Sequence, residues 1–145
     1  MKDNFLKVEF SSNPENVGLA RIIVAGYLAP LDPTVEEISD IKTAVSEAVT
    51  NAIIHGYDGS EAENTVKLAI SSTGRNITIE VTDSGVGIEN IVQVREPMFT
   101  TKPDMERSGL GFTVMESFMD SVEVKSVPGE GTAVILAKQL KEAAI

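Results

Sequence analysis

The sequence contains no cysteine and no tryptophan, two tyrosines, a single histidine, and only 12 basic residues against 22 acidic ones. Without cysteine there is no disulfide frame and no thiolate metal site. The scarcity of aromatics predicts an aliphatic core. No apolar run is long enough to cross a bilayer, and the start Met-Lys-Asp-Asn-Phe lacks the apolar stretch of a signal peptide, so a cytoplasmic location is expected. The formal charge of −10 repels nucleic acid and anionic lipid, which excludes both as direct partners. A basic protein partner would be attracted instead. No Gly-x4-Gly-Lys-Ser/Thr occurs, so the phosphate loop of P-loop enzymes is excluded too.

What is present fits one domain spanning 1–145, with a normal apolar fraction of 42%. Lys2 to Phe10 reads as a strand. Asn13 can cap a helix with Pro14 at its first position, and Val17, Leu19, Ile22, Ile23 and Tyr27 follow at helical spacing. After the break at Ala-Pro-Leu-Asp-Pro33, Thr34 and Glu37 fit a capping box. Val35, Ile38, Ile41, Val45, Ala48, Val49, Ala52 and Ile53 predict a long amphipathic helix, with His55-Gly56 as its stop. Two alternating runs, Val66-Leu68-Ile70 and Ile77-Ile79-Val81, flank Thr73-Gly-Arg-Asn76 and predict a β-hairpin. Ile88 to Val94 can form a short helix. Pro97 to Arg107 has no period and reads as a lid loop. A short helix is predicted from near Gly109. Strands follow from Val122 and over Ala133 to Ala137, joined at Pro128-Gly-Glu-Gly131, and Gln139 to Ile145 is expected to fray. This order predicts an α+β fold. It would be a two-layer sandwich, its mixed, mainly antiparallel sheet covered on one face by helices.

The chemistry concentrates in four places. Glu47, Asn51 and His55 recur every four residues, so a helix would place them in one row. A carboxylate and an amide in an otherwise apolar stretch need partners, and Asn51 is a poor helix former set mid-helix. An amide oxygen suits magnesium, which prefers hard oxygen ligands and keeps some of its waters. A carboxylate one turn away can take a proton from an attacking hydroxyl. Asp83-Ser-Gly85-Val-Gly87 follows a strand, where Asp83 can accept from an exocyclic amine such as that of adenine and the glycines let backbone approach the base. Arg107-Ser108-Gly109-Leu-Gly111 opens a helix, whose N–H groups bind phosphate, with Lys102 and Arg107 adding charge. Gly129-Glu-Gly131-Thr132 is a turn from which the Thr132 hydroxyl can reach the adenine side. Each also has an ordinary reading: a polar helix face, a strand-ending turn, a loop-to-helix junction, a hairpin turn. His55 fits a helix-end residue bonded to backbone, and Arg21 a solvated arginine.

Taken together, Glu47-x3-Asn51, Asp83-x-Gly85-x-Gly87, Gly109-x-Gly111 and Gly129-x-Gly131-Thr132 resemble the GHKL ATPase/kinase superfamily. Gyrase-type ATPases, MutL and sensor histidine kinases share its Bergerat nucleotide-binding fold. The chain is too short for a phospho-acceptor helical hairpin or a transducer domain, and so resembles the free-standing anti-sigma serine kinases of Gram-positive bacteria. The stretches 46–56, 97–103 and 106–112 resemble the sporulation branch more than the stress-response one. The resemblance implies ATP/ADP and Mg2+ as ligands, with Asn51 holding magnesium and Glu47 as general base. Asp83 would read adenine, and Gly85 and Gly87 would line its pocket. Thr100, Thr101, Lys102, Arg107, Ser108, Gly109 and Gly111 would form lid and phosphate cradle. It also implies a sigma factor held inactive, an anti-anti-sigma protein phosphorylated on serine, and a homodimer. Two alternatives stay open: a nucleotide-gated module that sequesters sigma with little kinase activity, and an ATPase that transfers phosphate to water.

Overall fold

A computed structural model describes residues 3–56, 64–84, 111–127 and 129–142, without the side chains of His55, Gly56 and Val127. Strand β1 (Asn4–Ser11) leads into α1 (Asn16–Leu28), a 3₁₀ turn (Ala29–Leu31) and α2 (Val35–Asn51), which runs on into a π turn (Ala52–Gly56). The hairpin β2 (Thr65–Thr73) and β3 (Asn76–Asp83) follows, then α3 (Gly111–Phe118), β4 (Ser121–Val127) and β5 (Gly131–Gln139). The short helix expected at Ile88–Val94 and the lid at Pro97–Arg107 lie outside the described residues.

The five strands form one sheet in the order β1-β2-β3-β5-β4. Every described pairing is antiparallel, so the expected mixed sheet is wholly antiparallel here. The hairpin follows from alternation: Leu68 stands opposite Val81, Ile70 opposite Ile79, and all four are buried. That face meets Ala20, Val24 and Leu28 of α1, Ile41, Val45 and Val49 of α2, and Phe112 and Met115 of α3 in one core. Phe112 is the only aromatic in it among the described residues, so the core is aliphatic as composition predicts. Each such aliphatic side chain contributes about 1.5–3 kcal/mol. No described helix is long and apolar enough to cross a membrane.

Two local expectations need correction. The first helix starts at Asn16, not Pro14, and its N-cap Glu15 makes no side-chain cap bond. The Asn13 carboxamide is used one turn earlier, accepting from the Glu15 N–H at 2.9 Å; Asn readily closes such local turns. The C-terminal end is not frayed through residue 141. Leu140 is buried, and its N–H donates to the Arg75 carbonyl at 2.8 Å. The Arg75 Nε donates to the Lys141 carbonyl at 2.9 Å, and its guanidinium also reaches the Leu31 carbonyl. One hairpin arginine thus ties two distant segments to the sheet.

The Thr34–Glu37 capping box forms as read: the Thr34 N–H donates to Glu37 Oε1 at 2.8 Å and the Glu37 N–H to Thr34 Oγ1 at 3.0 Å. The second Glu37 oxygen accepts from the Lys141 N–H at 2.8 Å. Burial pushes the Glu37 carboxyl up, but the backbone N–H groups of Thr34 and Lys141, the Thr34 side chain and the Lys141 charge together outweigh it. The carboxyl is held below its usual range. A carboxyl lowered by folding stabilises the fold above its unfolded pKa, and that contribution is lost as pH falls through the lowered folded value. Glu37→Gln is therefore expected to cost about 1–3 kcal/mol at neutral pH. It should also shrink the acid-side dependence of stability, measured by denaturant unfolding from pH 7 down to 3. Equal pH slopes in both proteins would contradict this.

Candidate nucleotide site

α2 places Glu47 and Asn51 one turn apart, both half-buried, beside buried Ala48, Val49 and Ala52. Neither Oδ1 nor Nδ2 of Asn51 is exposed to solvent, and neither has a hydrogen-bond partner among the described residues. Leaving such a group unsatisfied costs about 1–3 kcal/mol. Immediately after Asn51 the helix widens into the π turn, a distortion that often marks functional positions. The π turn packs against β3 and β5.

Those two strands carry the other half of the site. Asp83 ends β3 on the helix-covered side and is 6% exposed. Its partner across the ladder is Thr132 on β5, and the partner of Thr132 on β4 is Ser126. Residues directly opposed in an antiparallel pair share a face, so Asp83, Thr132 and Ser126 form one row. The Ser126 hydroxyl donates to the Gly131 carbonyl at 3.0 Å and lies 3.0 Å from Thr132 Oγ1. With its one proton used on Gly131, Ser126 accepts from Thr132, which leaves the Thr132 oxygen with acceptor capacity.

Gly131 makes this row possible. Its φ is +115°, and a Cβ there would sit 2.1 Å from the Asp83 carbonyl oxygen and 2.8 Å from the Ser84 Cα. No side chain fits without pushing β5 away from Asp83. Sequence reading took this glycine as a hairpin-turn residue. It did not find Ser126, whose only signal is a serine in register with Thr132.

The structure brings Glu47 and Asn51 onto one helix face and sets Asp83 opposite Thr132. Gly111 is buried in the first described turn of α3, which packs on α2. Gly85, Gly87, Thr100, Thr101, Lys102, Arg107, Ser108 and Gly109 lie outside the described residues, as does the side chain of His55. Arg21 is exposed on α1.

The histidine kinase-like ATPase domain family matches residues 10–138. An anti-sigma F factor of Clostridium beijerinckii is 52% identical over 139 residues, covering 96% of each chain. One of Clostridium perfringens is 54% identical over 138 residues, covering 95% of this chain and 98% of the relative. The chain belongs to the anti-sigma F factor family. Its fold also matches about a third of the crystal structure of the RsbU and RsbW domains of a Mycobacterium tuberculosis protein. That match has a TM-score of 0.70 at 20% identity, and covers 97% of this chain and 33% of that one. The GHKL resemblance read from the four motifs is therefore correct, and a histidine kinase-like ATPase domain implies a nucleotide as the chain's ligand class.

Proposed function

We propose that this chain is an anti-sigma factor and a protein serine kinase, built as one GHKL domain across 1–145 and acting in the cytoplasm as a homodimer. It binds a sporulation sigma factor of the sigma F type and holds it inactive, and it uses Mg-ATP to phosphorylate a serine of an anti-anti-sigma protein. The names of its relatives support the first activity. The observation that carries the second is the buried Asn51 amide, without a partner among the described residues and one turn from the Glu47 carboxylate.

An orphaned amide oxygen suits magnesium, so Asn51 is the residue that would hold it. When bound, the ion neutralises charge on the phosphates. Asp83 accepts a hydrogen bond from the adenine amine, and Thr132 supports the same edge through its hydroxyl or a water. Gly85 and Gly87 line the base pocket. Thr100, Thr101, Lys102, Arg107, Ser108, Gly109 and Gly111 form the lid and phosphate cradle. Glu47 takes the proton of the substrate serine as its oxygen bonds to the γ-phosphorus and the bond to the bridging oxygen breaks, releasing ADP.

An amide kept for a ligand costs stability in its absence. Asn51→Leu is therefore expected to raise the stability of the nucleotide-free protein by about 1 kcal/mol while abolishing magnesium-dependent ATP binding. Calorimetry with and without Mg2+, beside a melting curve of the free protein, tests this. A variant that binds Mg-ATP normally would overturn the ligand assignment. For the sigma half, the purified chain should co-elute with a sigma F type factor in Mg-nucleotide, and failure to do so would overturn it.

A further inference from the structure

Lys138 occupies a core-facing position. Along β5, Thr132, Val134, Leu136 and Lys138 stand opposite Asp83, Val81, Ile79 and Ile77, all four of them buried. The side chain of Lys138 is only 14% exposed. Its Nζ donates to the carbonyl of Phe118, the last residue of α3, at 2.6 Å, and lies 3.8 Å from Asp40 Oδ2 on α2. A cation at a helix C-terminus is favourably placed against the helix dipole. The ammonium thus serves both helices at once, by a hydrogen bond to one and an ion pair to the other.

The three elements joined at this point carry Glu47, Asn51, Gly111 and Thr132 toward their other ends, while Asp83 lies on the neighbouring β3. Asp40 lies seven residues before Glu47 and eleven before Asn51, so the three share a face of α2. The tie is roughly 10 Å from Glu47 along the helix axis. α3 has Gly111 at its start and Phe118 at its end. β5 has Thr132 near its start and Lys138 near its end. Partly buried ion pairs contribute little net stability over an apolar side chain of similar size. What an ammonium shared between two helices supplies is a fixed relation between them.

We propose that Lys138 is a positioning residue for phosphoryl transfer: it ties the C-terminus of α3 to Asp40 of α2, and so sets Glu47 and Asn51 against Gly111 and Thr132. This rests on the kinase reading above. Displacements of about 1 Å at a reacting centre can cost up to roughly 10²-fold in rate. Lys138→Met keeps the stem and removes the tie. It is expected to lower the transfer rate at saturating Mg-ATP roughly 10- to 100-fold, with a far smaller change in ADP affinity. Lys138→Arg should recover most of the rate. Asp40→Asn should slow transfer in the same way, and adding Lys138→Met to it should cost less than it does alone. Ile70→Val, in the β2 core away from the tie, serves as a control for stability loss and should keep its rate.

The test uses the full chain, ADP calorimetry, γ-labelled ATP and a purified anti-anti-sigma protein. A wild-type rate in Lys138→Met would overturn the positioning role, as would an equal rate loss in Ile70→Val. A wild-type protein that binds no ADP would overturn the nucleotide-site reading. One that binds ADP but labels nothing would overturn the kinase reading, and in either case the positioning role goes with it.

Discussion

Glu47→Gln is expected to bind Mg-ATP nearly as the wild type does and to transfer phosphate roughly 10²–10⁴-fold more slowly. The substitution keeps size and reach, and removes the negative charge and with it the ability to take a proton. Glu47 is half-buried on a helix that the capping box at Thr34 and the core residues Ile41, Val45 and Val49 hold firmly. The backbone that carries it is therefore held in place by packing that the substitution leaves untouched. An effect confined to the rate assigns Glu47 to an interaction made only in the transition state. Single-turnover transfer alongside ATP calorimetry separates the two quantities. Full activity in the variant would remove the general-base role, and a matched loss of affinity would make Glu47 a binding residue instead.

Asp83→Asn is expected to act on binding itself. A carboxylate accepting from the adenine amine makes a hydrogen bond to a charged group, worth about 1.5–3 kcal/mol. ATP and ADP should therefore both bind roughly 10- to 150-fold more weakly. The effect should be equal for the two nucleotides, because the base and not the γ-phosphate is being read. The fold should tolerate the change, since Asn is isosteric and the β3–β5 ladder at Asp83 and Thr132 is made by backbone. Unchanged affinity in a folded variant would refute the adenine contact. A loss for ATP alone would move Asp83 to the phosphate end.

The parts of this molecule legible in its sequence are those set by near neighbours in the chain. The Thr34–Glu37 box, the period of α2 and the alternation of β2 and β3 are local patterns, and each forms as read. Asn51 stood out because a poor helix former interrupts an apolar face. That its amide has no partner among the described residues depends on everything packed around it, which no local pattern states. Asn13 was misplaced because capping a helix and closing a turn use the same side chain in nearly the same way. The C-terminal residues looked free because their anchors are far away in sequence: Lys141 bonds to Glu37 and to Arg75. Lys138 and Gly131 carried no local sign either. A lysine near the end of a strand reads as solvated and a glycine between turn residues reads as a turn. Only the strand register turns one inward and sets the other against Asp83.

The most direct test of the central claim incubates the purified chain with γ-labelled Mg-ATP and an anti-anti-sigma protein, with Glu47→Gln in parallel. Label on a serine of the partner, absent with the variant, is the expected result. An unlabelled partner, with a sigma factor bound only when Mg-nucleotide is present, would contradict the kinase and leave a nucleotide-gated sequestering protein.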